Sequence, residues 1–194
     1  MPTGVAIRDV RQQLFDAAER VLLRDGPSAL TSRTVTAEAG VAKGVLHRHF
    51  ADFDAFLADF VLDRAEKLEL GSLPDSAGAG SVVGNLTGAI TALFGSVAVA
   101  IVPLVTFRDE LRARLRDTWP AGVPVLTEAA VVIGAYLAAE QEAGRVVADA
   151  HPETLAAMLI GTAHLRFAGL SGTPPEADAV HTVVTTVLAR AMPR

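Results

Sequence analysis

Between Asp75 and Arg108 the chain carries no charged side chain, and SVVGNLTGAITALFGSVAVAIVPLV within that stretch is long enough to cross a bilayer. Such a run belongs either in membrane hydrocarbon or in a helix surrounded on most sides by other helices. Asn85, Thr87, Thr91 and several Gly in its first half, with Pro103 near its end, favour the second home. So does the lack of an aromatic belt or a basic flank that would set a membrane orientation. The expectation is a chain with no membrane partner and a core built of helices.

Helical spacing recurs on both sides of this run. Ile7, Val10, Leu14, Ala17 and Val21 fall on one face of a helix from Val5 to Arg24, with Arg8, Arg11, Arg20 and Arg24 elsewhere on it. Asp25-Gly26-Pro27 ends it. Thr31 is placed to cap a short second helix, Arg33 to Ala39, which Gly40 breaks by taking a left-handed conformation. A third follows from about Ala42 to Phe50. The fourth runs from Asp52, its cap, to Leu70, with Phe53, Phe56, Leu57, Phe60, Val61 and Leu68 in helical register.

Beyond Leu70, GSLPDSAGAGS reads as a linker. Five further helices are predicted: Val82 to Val102, Leu104 to Asp117, Pro124 to Ala143, Pro152 to Leu170 and Glu176 to Met192. VVTTVLA in the last is rich in β-branched residues, yet Val180, Val183, Val184, Val187 and Leu188 keep helical spacing. The class is therefore all-α, with about nine helices and no strand. The first fifty residues have the order helix, short helix, tight Gly turn, short helix, which is that of a helix-turn-helix.

A chain of 194 residues can bury a real core without covalent staples. Its lack of Cys excludes disulfides, thiolate zinc sites and cysteine nucleophiles, and fits a reducing compartment. The N-terminus meets charge within ten residues and has no apolar signal region, so the expected location is the cytoplasm.

KGVLHRHF, residues 43 to 50, is the densest cluster of polar chemistry. Successive helical residues turn by roughly 100°, so His47 and His49 point apart and cannot hold one metal ion. Lys43, Gly44, His47 and Arg48 share one face of the segment, and Leu46 and Phe50 share the other, with Val41 nearby. A cationic face after a tight turn suits the DNA major groove, where Lys and Arg meet phosphates or guanine edges and Gly44 allows close approach. The plainer reading is a solvated helix face, with Arg33 simply exposed and His49 packed or bonded to backbone.

The string LTSRTVTAEAGVAKGVLHRHFADFDAFL, Leu30 to Leu57, resembles the DNA-binding region of tetracycline-repressor-like (TetR/AcrR) transcriptional regulators. Thr31, Val35, Ala39, Gly40, Val41, Gly44, His49, Phe50 and Leu57 fall in register with that family's pattern. The rest of the chain agrees only in length and helical character. The resemblance implies a helix-turn-helix head over residues 1–51, joined by helix 4 to a helical ligand-binding and dimerisation domain over residues 52–194. It implies that Thr31, Arg33, Thr34, Lys43, Gly44, Val45, His47, Arg48 and His49 face double-stranded DNA.

Four positions depart from the pattern. His47 replaces a Tyr that packs on the DNA backbone, and its imidazole meets a phosphate in a pH-dependent way. Phe53 replaces a Lys, which removes a phosphate contact and leaves binding weaker or more salt-tolerant. Thr36 replaces an Ala. Ala42 replaces a Ser cap worth about 1 kcal/mol.

Charge is distributed in keeping with this reading. The whole chain is 17 − 22 = −5, but residues 1–50 hold seven basic and five acidic groups, a local +2. With few phosphate contacts per head, useful affinity needs a homodimer on two half-sites roughly 34 to 36 Å apart. The helix PETLAAMLIGTAHLRFAGL is apolar on nearly every side, so either it is the centre of its own domain or a partner covers it. Ala157 and Gly161, four apart, allow close helix approach, and the last two helices paired with their mates would make a four-helix interface.

A regulator also needs a ligand. Phe94 and Phe107 in the uncharged run, with Trp119, Tyr136 and Phe167, are candidates to wall a mostly apolar pocket for a hydrophobic effector. His164 and Arg166 are rare polar groups that could orient it, or else a satisfied core His and a surface Arg. No catalytic residue, metal site or cofactor is expected: there is no H-E-x-x-H, no G-x-S-x-G and no phosphate loop. The alternative to a DNA-binding regulator is a DNA-free helical dimer that mediates interactions or binds a small molecule.

Overall fold

The computed structural model describes residues 4–67, 69–120, 122–168 and 174–193. Among them every regular element is helical: ten α-helices and three 3-10 turns. In chain order these are α1 (Gly4–Asp25), α2 (Ser32–Glu38), α3 (Val45–His49), α4 (Phe53–Glu66) and α5 (Val82–Gly95). Then come α6 (Ala98–Thr106), α7 (Asp109–Leu115), α8 (Leu126–Glu142), α9 (Pro152–Phe167) and α10 (Ala177–Leu188). The chain divides into two compact units, Met1–Glu66 with Ala100–Ala121, and Lys67–Val99 with Gly122–Arg194.

The first unit is built on the apolar face of α1. Leu14, Ala17, Ala18, Val21 and Leu22 are buried there with Leu30, Val35 and Leu46. Four phenylalanines close the core. Phe15 lies 6.0 Å from Phe50, 5.6 Å from Phe56 and 6.1 Å from Phe60, and Phe50 meets Phe56 edge-on at 5.0 Å. Arg64 of α4, 8% exposed, reaches Asp16 at 2.7 Å, Glu19 at 2.6 Å and Asp63 at 2.5 Å. Burial works against its charge, but these carboxylates outweigh that and raise its pKa. On the other side of α4 lies α7, fastened by Arg108 to Asp54 at 2.9 Å and by Arg114 to Asp52 at 2.5 Å.

In the second unit α8 packs along α9, and α10 packs on α5 and α9. Gly134 faces the start of α9, where a Cβ would be in ordinary contact with the Glu153 backbone at 3.7 Å. Leu86, Ile90, Ile133, Leu137, Leu159, Ala163, Val180, Val184 and Leu188 are fully enclosed. The predicted spacing of α10 is observed, with Val180, Val183, Val184 and Leu188 buried in one line.

The structure differs from expectation at element ends. The helix expected from Val82 to Val102 breaks at Ser96, which is extended (ψ 173°). Its hydroxyl donates to Leu93 O at 2.7 Å and accepts the Ala98 N–H at 3.2 Å, closing one helix and opening the next. A second break at Phe107–Arg108 separates α6 from α7, so three helices stand where two were expected. Helix α4 ends at Glu66 rather than Leu70.

The following segment is not a free linker. It winds into 3-10 turns at Glu69–Ser72 and Pro74–Ser76, and Leu70 and Leu73 are buried. Asn85 Nδ2 donates to Ala79 O at 2.9 Å and Arg145 Nη1 to Gly80 O at 3.0 Å, which fixes its far end. Among the described residues no single helix is long and apolar enough to cross a membrane.

Candidate nucleic-acid interface and effector residues

The candidate interface begins at Thr31, the N-cap of α2. Its hydroxyl accepts the Thr34 N–H at 3.2 Å, while Thr34 Oγ1 accepts the Thr31 N–H at 2.9 Å and donates to Ala29 O at 2.7 Å. This reciprocal cap fixes where α2 starts. Thr36, in place of the expected Ala, donates back to Ser32 O at 2.8 Å and so buries its hydroxyl without leaving it unsatisfied. Gly40 turns the chain at φ +67°. Residues 42–44 then form a turn, closed by Val45 N–H on Ala42 O at 2.9 Å, and α3 starts three residues later than expected. Ala42 offers no side-chain cap that could extend it backwards.

What remains of the segment is two-sided. Leu46 is fully buried and Phe50 is 5% exposed, whereas Lys43, Gly44, His47 and Arg48 are exposed, as are Thr31 and Arg33. Thr34, Val45 and His49 are half-buried. The space a Cβ on Gly44 would occupy is empty, so the backbone can be approached closely there. Sequence spacing found this face.

The neighbouring contacts were not legible from spacing. Phe53 stacks on Phe56 at 5.6 Å and lies 5.6 Å from the Arg108 guanidinium, so it joins α4 to α7. Asp52 caps α4 by accepting the Ala55 N–H at 2.8 Å. That amide, with Arg114 nearby, holds its carboxyl below the usual range.

The six residues predicted to line an effector pocket are only partly brought together. In the second unit Phe94 lies 6.2 Å from Phe167, edge to face, and 6.5 Å from His164. His164 Nδ1 is buried with no hydrogen-bond partner among the described residues. Tyr136 is fully buried, and its hydroxyl meets Asn85 Nδ2 at 3.0 Å. Burial first, then the adjacent Glu140 carboxylate, push the phenol up to about 12.

Glu140 is itself enclosed. Burial opposes its charge, but Arg145 at 2.5 Å, the Tyr136 hydroxyl and the Gly78 amide hold it below the usual carboxylate range. Phe107, 83% exposed, and Trp119 belong to the first unit. A groove of about 750 Å³ opens between α8 and the start of α9, lined by Val131, Gly134, Ala135 and Pro152, with His151 and Glu153 at its polar side, and by none of the six.

Comparison with known proteins follows this division. Residues 14–59 match the family described as bacterial regulatory proteins, tetR family. Over the whole chain, the crystal structure of E. coli NemR in its reduced form has a TM-score of 0.72 at 15% identity, covering 93% of this chain and 96% of that one. A transcriptional regulator from Rhodococcus sp. Rha1 has a TM-score of 0.68 at 22% identity, covering 93% and 97%. The multidrug binding protein EbrR complexed with imidazole has a TM-score of 0.61 at 25% identity, covering 95% of each. No curated protein sequence matches the chain. The head thus matches the tetR family of bacterial regulatory proteins over residues 14–59, and the fold of the whole chain agrees with those solved structures.

Proposed function

We propose that the protein is a ligand-responsive transcriptional repressor that acts as a homodimer on a palindromic operator and leaves it when a mostly apolar small molecule binds. The observation that carries this reading is the two-sided segment over residues 43–50, α3 with its flanks: Lys43, His47 and Arg48 in water, with Leu46 and Phe50 anchoring the opposite side. Lys43 and Arg48 are assigned to phosphates or guanine edges, Gly44 and Val45 to close approach, and His47 and His49 to the groove wall. Thr31, Arg33 and Thr34 at the start of α2 are assigned to the flanking backbone. Residues 1–51 form the reading domain in this scheme and residues 52–194 the sensing and dimerising one.

Dimerisation is supported by α9, on which Ala157, Met158, Gly161 and Leu165 are exposed, Leu165 at 87%. An apolar stripe of that kind needs a partner, and a second copy's α9 and α10 would cover it. Effector binding is supported by the aromatic group Phe94, His164 and Phe167, where the unpartnered Nδ1 offers one polar contact in apolar surroundings. EbrR, of the same fold, is a multidrug binding protein. The effector acts by favouring a dimer whose heads no longer match successive grooves, a coupling of about 1 to 3 kcal/mol.

Selection of bound duplexes from a random pool by the purified protein tests the reading. A palindromic consensus is the expected result, and a pool that stays random after repeated rounds would leave the DNA-free helical dimer in its place.

A further inference from the structure

Helix α3 is five residues long, too short to be stable by its own hydrogen bonds. Its direction is therefore set by what fastens it, and two of the fastenings come from the same turn of α1. At the near end, Gln13 Nε2 donates to Ala39 O at 2.8 Å, the carbonyl just before the Gly40 turn. At the far end, the Arg11 guanidinium lies over the ring of Phe50, the residue that caps α3, at 4.5 Å from its centroid. The Phe50 N–H closes the last turn of α3 on Leu46 O at 3.0 Å. Arg11 is itself held, because its Nη2 donates to Asp59 Oδ2 of α4 at 2.7 Å. A planar guanidinium can stack on a ring and bond a carboxylate in one pose, which a lysine ammonium cannot.

On charge alone Arg11 counts among the basic groups of the head and would be assigned to phosphate. Its geometry points elsewhere. Both its flat face and its outer nitrogen are engaged within the first unit, and the ring it covers is the buried anchor of α3.

We infer that Arg11, oriented by Asp59, is a positioning residue that sets the angle at which α3 meets DNA, with Gln13 fixing the start of the same segment. The inference rests on the reading of α3 as the DNA-contacting helix.

The test uses the full chain and a duplex recovered by the wild-type protein from a random pool. Arg11→Met keeps the stem and removes the guanidinium. It is expected to weaken binding about fivefold, the size of a partly desolvated cation–π contact, and to leave the slope of log K against log salt unchanged. Arg11→Lys, which can still reach Asp59, should recover only part of that loss.

In the DNA-free protein, the Phe50 amide should exchange about fivefold faster in Arg11→Met, with Phe60 and Val61 amides unaffected. Should Arg11→Met fail to fold, Asp59→Asn carries the same expectations at smaller size. A salt slope reduced by about one would make Arg11 a phosphate ligand and overturn the inference. Unchanged affinity and unchanged Phe50 exchange in both variants would also overturn it, as would a lowered melting temperature with neither of those shifts. Faster Phe50 exchange in a protein that enriches no duplex would instead locate the failure in the DNA reading.

Discussion

Leu46 is fully enclosed while its near neighbours Lys43, His47 and Arg48 stand in water, and that contrast within six residues is the basis of the DNA reading. Replacing Lys43 and Arg48 together with Ala should lower the slope of log K against log salt by about two if both meet phosphates. Titrating operator binding at several salt concentrations measures it. Tyr136 gives a separate check, because it is the chain's single tyrosine and its phenolate absorbance belongs to one side chain. In the folded protein it should titrate at about 12, and in denaturant at about 10. The neutral phenol is the form the fold favours. Its contribution to stability is complete below about pH 10 and is lost as pH rises through the folded value. The two-sidedness of residues 43 to 50 was legible because it depends only on spacing along one helix. The contacts of Tyr136 were not legible, because Asn85 is distant in the sequence and Glu140 lies one turn away on a face that composition does not reveal.

At the scale of elements, caps and clamps decide where helices start and how loops are held. Thr31→Ala removes a reciprocal cap and should cost about 1 kcal/mol in urea unfolding. Glu140→Ala leaves Arg145, Tyr136 and the Gly78 amide without their acceptor at once. Arg145 retains 28% exposure and can turn to water, so the expected loss is about 1 to 3 kcal/mol rather than that of a wholly buried pair. The caps at Thr31 and Asp52 were legible from residue type. The break at Ser96 was not, because apolar spacing runs straight through it, and Gly84 and Gly88, in the same run, stay helical. The 3-10 turns after Glu66 were hidden by composition: a segment rich in Gly, Ser and Pro reads as loose until distant donors such as Asn85 and Arg145 are seen to hold it.

For the whole molecule, the all-helical class and the head were legible because they follow from local periodicity and one turn. The arrangement of the aromatic residues was not, since Phe94 and Phe167 meet only through packing of distant helices. Dimerisation is open to direct test. Leu165→Glu places a charge on the most exposed apolar side chain of α9 and should shift sedimentation from dimer to monomer. Operator affinity should then fall by 10² or more, as about expected when two linked half-site contacts become one.

The first compact unit is discontinuous in the chain, since residues 100–121 return to it and Leu111 and Leu115 are buried there. An excised fragment ending at Glu66 would therefore lack part of its own wall. Arg108 would no longer stack on Phe53, and Asp52 and Asp54 would lose their partners. Such a fragment should melt at a lower temperature than the first unit does in the intact chain, so experiments on this head alone call for grafting the returning strip back, not for a shorter gene.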